Sequence, residues 1–132
     1  MATITGRLTL SGTGTTSDVL SIIKDKALTV ASPSVQVGTV VLTASFATTL
    51  AALDGTENTD DTYLYISNTS TGSETIEMAV KDDTVGCLIS NATLNLKVGE
   101  FAFLPVKALA NIQFKGSLAT AILEYGYWTR SS

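Results

Sequence analysis

TYLYISN (Thr62–Asn68), ETIEMAV (Glu74–Val80), LNLKV (Leu94–Val98), EFAFLPV (Glu100–Val106), NIQFKG (Asn111–Gly116) and ATAILEYGYW (Ala119–Trp128) follow one another along the second half of this chain. Between or within them sit STGS (Ser70–Ser73), KDDTVG (Lys81–Gly86), VGE (Val98–Glu100) and KGS (Lys115–Ser117). Gly, Asp and Ser favour turns because glycine accepts positive φ and the short polar side chains bond back to the backbone. Successive side chains of a strand point to opposite faces, so alternation assigns the faces. Leu64 and Ile66 oppose Tyr63 and Tyr65; Ile76, Met78 and Val80 oppose Glu77 and Lys81; Leu94, Leu96 and Val98 oppose Asn95 and Lys97; Ile112 and Phe114 oppose Asn111, Gln113 and Lys115. One buried and one wet face per strand, in many short strands, predicts an all-β fold, an antiparallel β-sandwich or barrel. The last run differs: Ala119, Ala121, Leu123, Tyr125 and Tyr127 fall on one side, yet Ile122 and Trp128 fall on the other. A strand apolar on both faces is central or lies at a subunit contact.

The first half is less decided. Ile4, Leu8 and Leu10 alternate in an N-terminal strand, with Gly6 a candidate bulge. Ser11–Thr16 reads as a loop. Ser17 and Asp18 are suited to capping a helix over VLSIIKDKAL (Val19–Leu28), but the β-branched Val19, Ile22 and Ile23 favour a strand, and both readings stand. Pro33 closes this segment, and Val35, Val37 and Thr39–Leu42 resume an extended pattern. Ser45–Leu53 is a short helix candidate or a strand entering the polar loop Asp54–Asp61. No repeat of solenoid length is visible. The whole, residues 1–132, reads as a single sandwich domain with residues 1–16 a candidate N-terminal arm that adds a strand to a neighbour, or else an ordinary first strand.

Hydrophobic residues make up 45% of the 132-residue chain but charged ones only 15%, well below the usual quarter. The mean hydropathy is +0.31, yet no apolar run approaches the ~18 residues of a membrane helix, so no membrane partner is expected. Thr, Ser and Gly take the place of Lys and Glu, which suits a neutral surface packed against copies of itself or a partner. Net charge is −4 and the isoelectric point about 4.5. With no basic cluster, phosphate-led nucleic-acid binding is not expected. MATITGRLTL lacks the apolar core of a signal peptide, so production in a reducing cytoplasm is expected. Asn68-Thr69-Ser70 and Asn91-Ala92-Thr93 match glycosylation acceptors in form and read instead as turns.

Chemistry is sparse. The chain has no histidine, which removes Ser-His-Asp and Cys-His catalysis and His-based metal sites. Its one cysteine, Cys87, sits among Val85, Leu88 and Ile89 and reads as a buried inert thiol. Asp82 and Asp83 read as a turn. Asp54, Glu57, Asp60 and Asp61 gather enough oxygens to suggest calcium, but their glycine and final Glu are out of place for an EF-hand, and a solvated loop is the plainer reading. No catalytic residue and no cofactor are expected, and the chain reads as non-enzymatic. Tyr63, Tyr65, Tyr125, Tyr127 and Trp128 are the candidate interface residues, because their rings combine large apolar area with a polar tip. The same rings admit a sugar-stacking platform or core packing.

The acidic loop, Tyr63–Asn68, the charged hairpin Glu74–Asp83, Leu96-Lys97-Val98-Gly99-Glu100, Phe103-Leu104-Pro105 and Ile122–Tyr125 resemble, over roughly half the chain, small virion proteins of tailed bacteriophages. The similarity is to jelly-roll-like decoration, cement and fibre proteins. It implies a jelly-roll sandwich and a structural role on the capsid exterior of a virion. It implies trimers at symmetry axes that brace the major capsid protein, and carries over no functional residue. The expectation is therefore a self-associating capsid decoration protein. A tail or fibre-base component and a carbohydrate-binding module are the rivals.

Overall fold

Nine strands form among the described residues of the computed structural model, which are 2–14, 20–30, 36–46, 61–80, 92–107 and 112–130. All pairings are antiparallel, as the turn-separated alternating runs predict. The chain divides into two compact units, Met1–Pro33 with Arg130–Ser132, and Ser34–Thr129. The strand runs from Thr62 onward all fall in the second unit.

The first unit is a two-stranded ribbon of β1 (Ala2–Gly12) and β2 (Leu20–Val30). The two readings of Val19–Leu28 are thus resolved: Leu20–Val30 is strand, paired residue for residue with β1 from Ala2↔Val30 to Gly12↔Leu20. Arg7 lies opposite Asp25 and meets it at 3.3 Å; both are exposed, so the pair fixes register more than it stabilises. The candidate bulge at Gly6 is corrected, because the register runs through it without a break. A Cβ at Gly6 would stand 3.6 Å from Leu28 Cδ1, an ordinary contact, so no close approach requires glycine there. Residues 2–12 pair with their own chain through β2.

The second unit is the sandwich. One sheet has the order β3-β9-β4-β7, from β3 (Gln36–Val41), β9 (Ile122–Thr129), β4 (Thr62–Asn68) and β7 (Phe101–Val106). The other has the order β6-β5-β8, from β6 (Ala92–Leu96), β5 (Ile76–Val80) and β8 (Ile112–Gly116). Leu64, Ile66, Leu123 and Tyr127 of the first sheet pack with Ile76, Met78, Leu96, Ile112 and Phe114 of the second in one core, joined by Leu42 and Ala121. Burying each large apolar side chain is worth about 1.5–3 kcal/mol over leaving it exposed. β9 lies between β3 and β4, so the strand that is apolar on both faces is a central one. Met78 and Ala79 are both buried; between them the register with β6 shifts past Thr93, while that with β8 runs unbroken. Outside, Lys115 faces Glu77 at 3.6 Å and sits 5.5 Å from the centre of the Phe46 ring. Of the Ser45–Leu53 helix candidate only Ser45 and Phe46 are described, as a bend; residues 47–53 lie outside the described residues, as do Asp82, Asp83, Cys87 and Asn91.

Asn68 ties the two sheets together. It is fully buried at the end of β4. Its Nδ2 donates to the carbonyls of Glu74 (2.8 Å) and Leu96 (3.0 Å), and its Oδ1 accepts from Ser70 N–H (3.1 Å). Its backbone N–H donates to Glu100 O at 3.0 Å, and its carbonyl accepts from Gly99 N–H at 2.9 Å. Gly99 has φ of 85°, which glycine adopts without cost, and this turn presents its N–H inward. The Glu100 carboxylate closes the same turn by accepting from Lys97 N–H at 2.8 Å. Asn68 is thus a structural residue and not a surface acceptor.

Glu74 is a second buried polar anchor. Its Oε2 accepts from Gly72 N–H at 2.9 Å and its Oε1 from the Thr120 hydroxyl at 2.8 Å. Its own backbone N–H first, then Thr120 and Gly72, hold the carboxyl below its ordinary value against the opposing pull of burial. A depressed native pKa gives a contribution that is present above the unfolded value of about 4.3 and lost as pH falls through the lower native one. Thermal melts of the native chain and Glu74→Gln should therefore differ most at neutral pH and converge on acidification below about pH 4. A difference independent of pH would contradict this role for the carboxylate.

Candidate functional site

The inward residues of the four-stranded sheet account for its core, which leaves the outward ones to be explained. Register fixes which they are. Tyr63 lies opposite Trp128 on one side and Pro105 on the other; Tyr65 opposite Gly126 and Phe103; Ser67 opposite Glu124 and Phe101. Across β9, Gly126 faces Val37, Glu124 faces Thr39, and Ile122 faces Val41. The outer face therefore carries aromatic or aliphatic side chains on all four strands, crossed by one polar row of Thr39, Glu124 and Ser67, in which Glu124 is the one charged member within these strands.

Exposure is highest at its flanks: Phe101 is 69% exposed, Val37 64%, Val41 60% and Phe103 44%. A single exposed apolar residue is unremarkable, but a contiguous apolar sheet face marks an interaction surface. The Tyr63 and Phe103 rings stack, with centroids 6.0 Å apart and planes 16° from parallel. The Tyr65 hydroxyl donates to Glu124 Oε1 at 2.7 Å. That bond, then partial burial, raises the phenol above its ordinary pKa, against a smaller opposing effect of Ser67. Gly126 shapes the centre: a Cβ there would lie 2.9 Å from Trp128 Cη2 and 3.4 Å from Val37 Cγ2. The indole lies across the backbone only because residue 126 has no side chain.

The five expected interface residues divide between the two faces. Tyr63, Tyr65 and Trp128 lie outward on this surface. Tyr125 and Tyr127 turn inward, where Tyr127 is a core residue and Tyr125 packs against it, their rings 6.2 Å apart. Gly38, opposite Tyr125, leaves room for that ring: a Cβ there would meet the Tyr125 hydroxyl at 3.2 Å. Phe101, Phe103, Val37, Val41, Ile122 and Glu124 join the surface without having been singled out by sequence. In β7 both alternating sets, Phe101 and Phe103 against Ala102 and Leu104, are apolar, so only pairing with β4 tells which faces outward.

Of the calcium candidates, Asp54, Glu57 and Asp60 lie outside the described residues, and Asp61 is exposed. Among the described residues no three acidic or thiol side chains gather into a metal-binding group. Comparison of the chain with protein-family models, with curated proteins and with solved structures finds no match.

Proposed function

We propose that this chain is a non-enzymatic virion structural protein of the capsid-decoration type. In this reading it is made in the host cytoplasm, self-associates as a trimer and braces the major capsid protein from the capsid exterior. The observation that carries self-association is the outer face of the four-stranded sheet, on which Phe101, Phe103, Val37 and Val41 remain open beside Tyr63 and Trp128. Covering it with identical copies in closed symmetry removes the apolar area from water and leaves no growing edge. The jelly-roll form belongs to the same proposal. The chain crosses between the two sheets at β4 to β5, β6 to β7, β7 to β8 and β8 to β9, which is the wrapping that a rolled double sheet needs. The virion setting rests on the sequence resemblance alone.

A carbohydrate-binding module is the second reading, favoured by the outward rings of Tyr63, Tyr65, Phe103 and Trp128. Against it, the Tyr65 hydroxyl and Glu124 already bond to each other, and the most exposed side chains of the face are the apolar Phe101, Val37 and Val41. Light scattering behind a sizing column separates the two. The native chain is expected at three times its protomer mass, and Phe101→Asp with Phe103→Asp at the protomer mass with unchanged circular dichroism. A native monomer that binds glycans, and loses them on Trp128→Ala, would replace the first reading with the second.

A further inference from the structure

The β1–β2 ribbon carries a second uncovered apolar face. Its register places Ile4, Gly6, Leu8 and Leu10 with Ile22, Lys24, Lys26 and Leu28 on one side, and Thr3, Thr5, Arg7, Thr9 and Ser11 with Ser21, Ile23, Asp25, Ala27 and Thr29 on the other. The first side is apolar except for its two lysines; the second is mostly hydroxyl-bearing. Val30 at one end is buried, but toward the other end Leu8 is 48% exposed, Leu10 44% and Ile22 39%. A two-stranded ribbon is marginal in water by itself and gains stability by packing on another layer. Its amphipathic pattern says that one layer is meant to be covered.

Two features of this face decide what covers it. Lys24 and Lys26 flank the ribbon's midpoint, the Arg7–Asp25 pair. Two ribbons stacked face to face in full overlap would bring four ammonium groups together in an apolar contact, which like-charge repulsion and desolvation oppose. The outer face of the four-stranded sheet offers the opposite: one carboxylate, Glu124 on the central strand β9, between Thr39 and Ser67 in an otherwise mostly apolar face. Its Oε1 is engaged by Tyr65, and a carboxylate accepts several further hydrogen bonds. The ribbon stretch Gly6–Gly12 spans about 23 Å, enough to reach across four strands set about 4.8 Å apart.

We propose that the β1–β2 hairpin of one copy lies, apolar face down, across the outer face of the four-stranded sheet of a second copy, with Lys24 or Lys26 paired to that copy's Glu124. The inference rests on the self-association reading above and names the segment that performs it. Each chain then both gives and receives a hairpin, which covers both apolar faces with one contact type and forms a ring where the rotation between copies closes. The side left outside is mostly Thr and Ser, with Ile23 and the Arg7–Asp25 pair among them.

Charge exchange tests this. Lys24→Glu with Lys26→Glu, and separately Glu124→Lys, should each raise the concentration at which the assembly dissociates by about thirtyfold or more, as loss of a desolvated charge pair does. Combining the three substitutions should restore assembly. Independently, in a Cys87→Ser background, Leu10→Cys in one size-tagged chain and Phe103→Cys or Val37→Cys in another should oxidise to the mixed disulfide in excess over the statistical mixture. Assembly that survives both charge variants, with no excess of mixed disulfide, overturns the hairpin contact and leaves self-association standing. Dominant Leu10→Cys homodimers overturn it in favour of paired hairpins. A native chain at protomer mass overturns both readings and points to a different protein as the occupant.

Discussion

Asn68→Asp is expected to be among the most damaging single substitutions in this sandwich, despite changing one NH₂ for one oxygen. The native amide gives both of its protons to carbonyls, Glu74 O and Leu96 O, and takes one from Ser70 N–H, at a position with no exposure. A carboxylate has only acceptors, so it would set lone pairs against two carbonyl oxygens while carrying a buried charge. Removing a donor from a buried acceptor costs about 1–3 kcal/mol, and more when charge is involved. Two such acceptors put the loss at roughly 3 kcal/mol or more at neutral pH, a large part of the 5–15 kcal/mol that holds an ordinary domain. The sign of its pH dependence is fixed. Burial and the two carbonyls favour the protonated acid, so the native pKa of the new carboxyl would stand above the unfolded value of about 3.9. The folded state then binds more protons than the unfolded one between those values, and the deficit relative to the native chain shrinks as pH falls toward 4. Asn68→Ala should also lose about 2–4 kcal/mol, by leaving the carbonyls without that donor, but with no such recovery in acid. Urea titrations of the three proteins at pH 7 and pH 4.5 check both statements. An Asp variant as stable as the native chain at pH 7 would mean that Asn68 does not join the sheets.

The physical origin of this sensitivity explains what was legible in the sequence. Asn68 and Gly99-Glu100 each read as turn residues, and so they are, but that they bond to each other across thirty positions follows from pairing, which no local pattern carries. Faces were legible wherever polar and apolar residues alternate. Leu64 against Tyr65 and Phe114 against Lys115 are assigned by composition alone, and the core confirms them. The same parity already separated Tyr125 and Tyr127 from Trp128; grouping the aromatic residues by type concealed it. In β7, and in β3 with Val37, Val40 and Val41, both parities are apolar, so the outer face emerges only when strands are placed side by side. The ribbon was half legible. Ile4, Leu8 and Leu10 show a strand, whereas the adjacent Ile22 and Ile23 fit a helix or a strand until β1 pairs with them. Much of the candidate site lay in such doubly apolar strands, which is why an interface was expected but only three of its members were named.

Gly116→Ala is expected to act with comparable force through crowding. Gly116 is buried at the end of β8, opposite Ile76, where the chain turns through Ser117–Thr120 into β9. An added Cβ would crowd against the Cβ of Ala121 and lie 2.7 Å from the backbone oxygen of Leu118. Neither is the end of a flexible side chain. That oxygen accepts from Ala121 N–H at 3.2 Å, Gly116 N–H donates to Thr43 O at 2.9 Å, and Ser117 N–H donates to Thr75 O at 2.8 Å. The new methyl must therefore move backbone that these bonds hold, on the edge of the core where Ala121 is fully buried. Overpacking of a tight site costs typically about 1–3 kcal/mol and more where backbone has to shift, so a loss of around 3 kcal/mol is expected. Because part of the clash is with one methyl, Ala121→Gly should relieve it. The double variant is expected to be destabilised by less than the sum of the two single ones, with a coupling of about 1 kcal/mol, whereas independent sites add. The Leu118 carbonyl keeps that relief incomplete. Denaturant midpoints of the four proteins in the cycle measure the coupling, and strict additivity would show that the turn yields elsewhere and that Gly116 is not what lets β8 pass so close to β9.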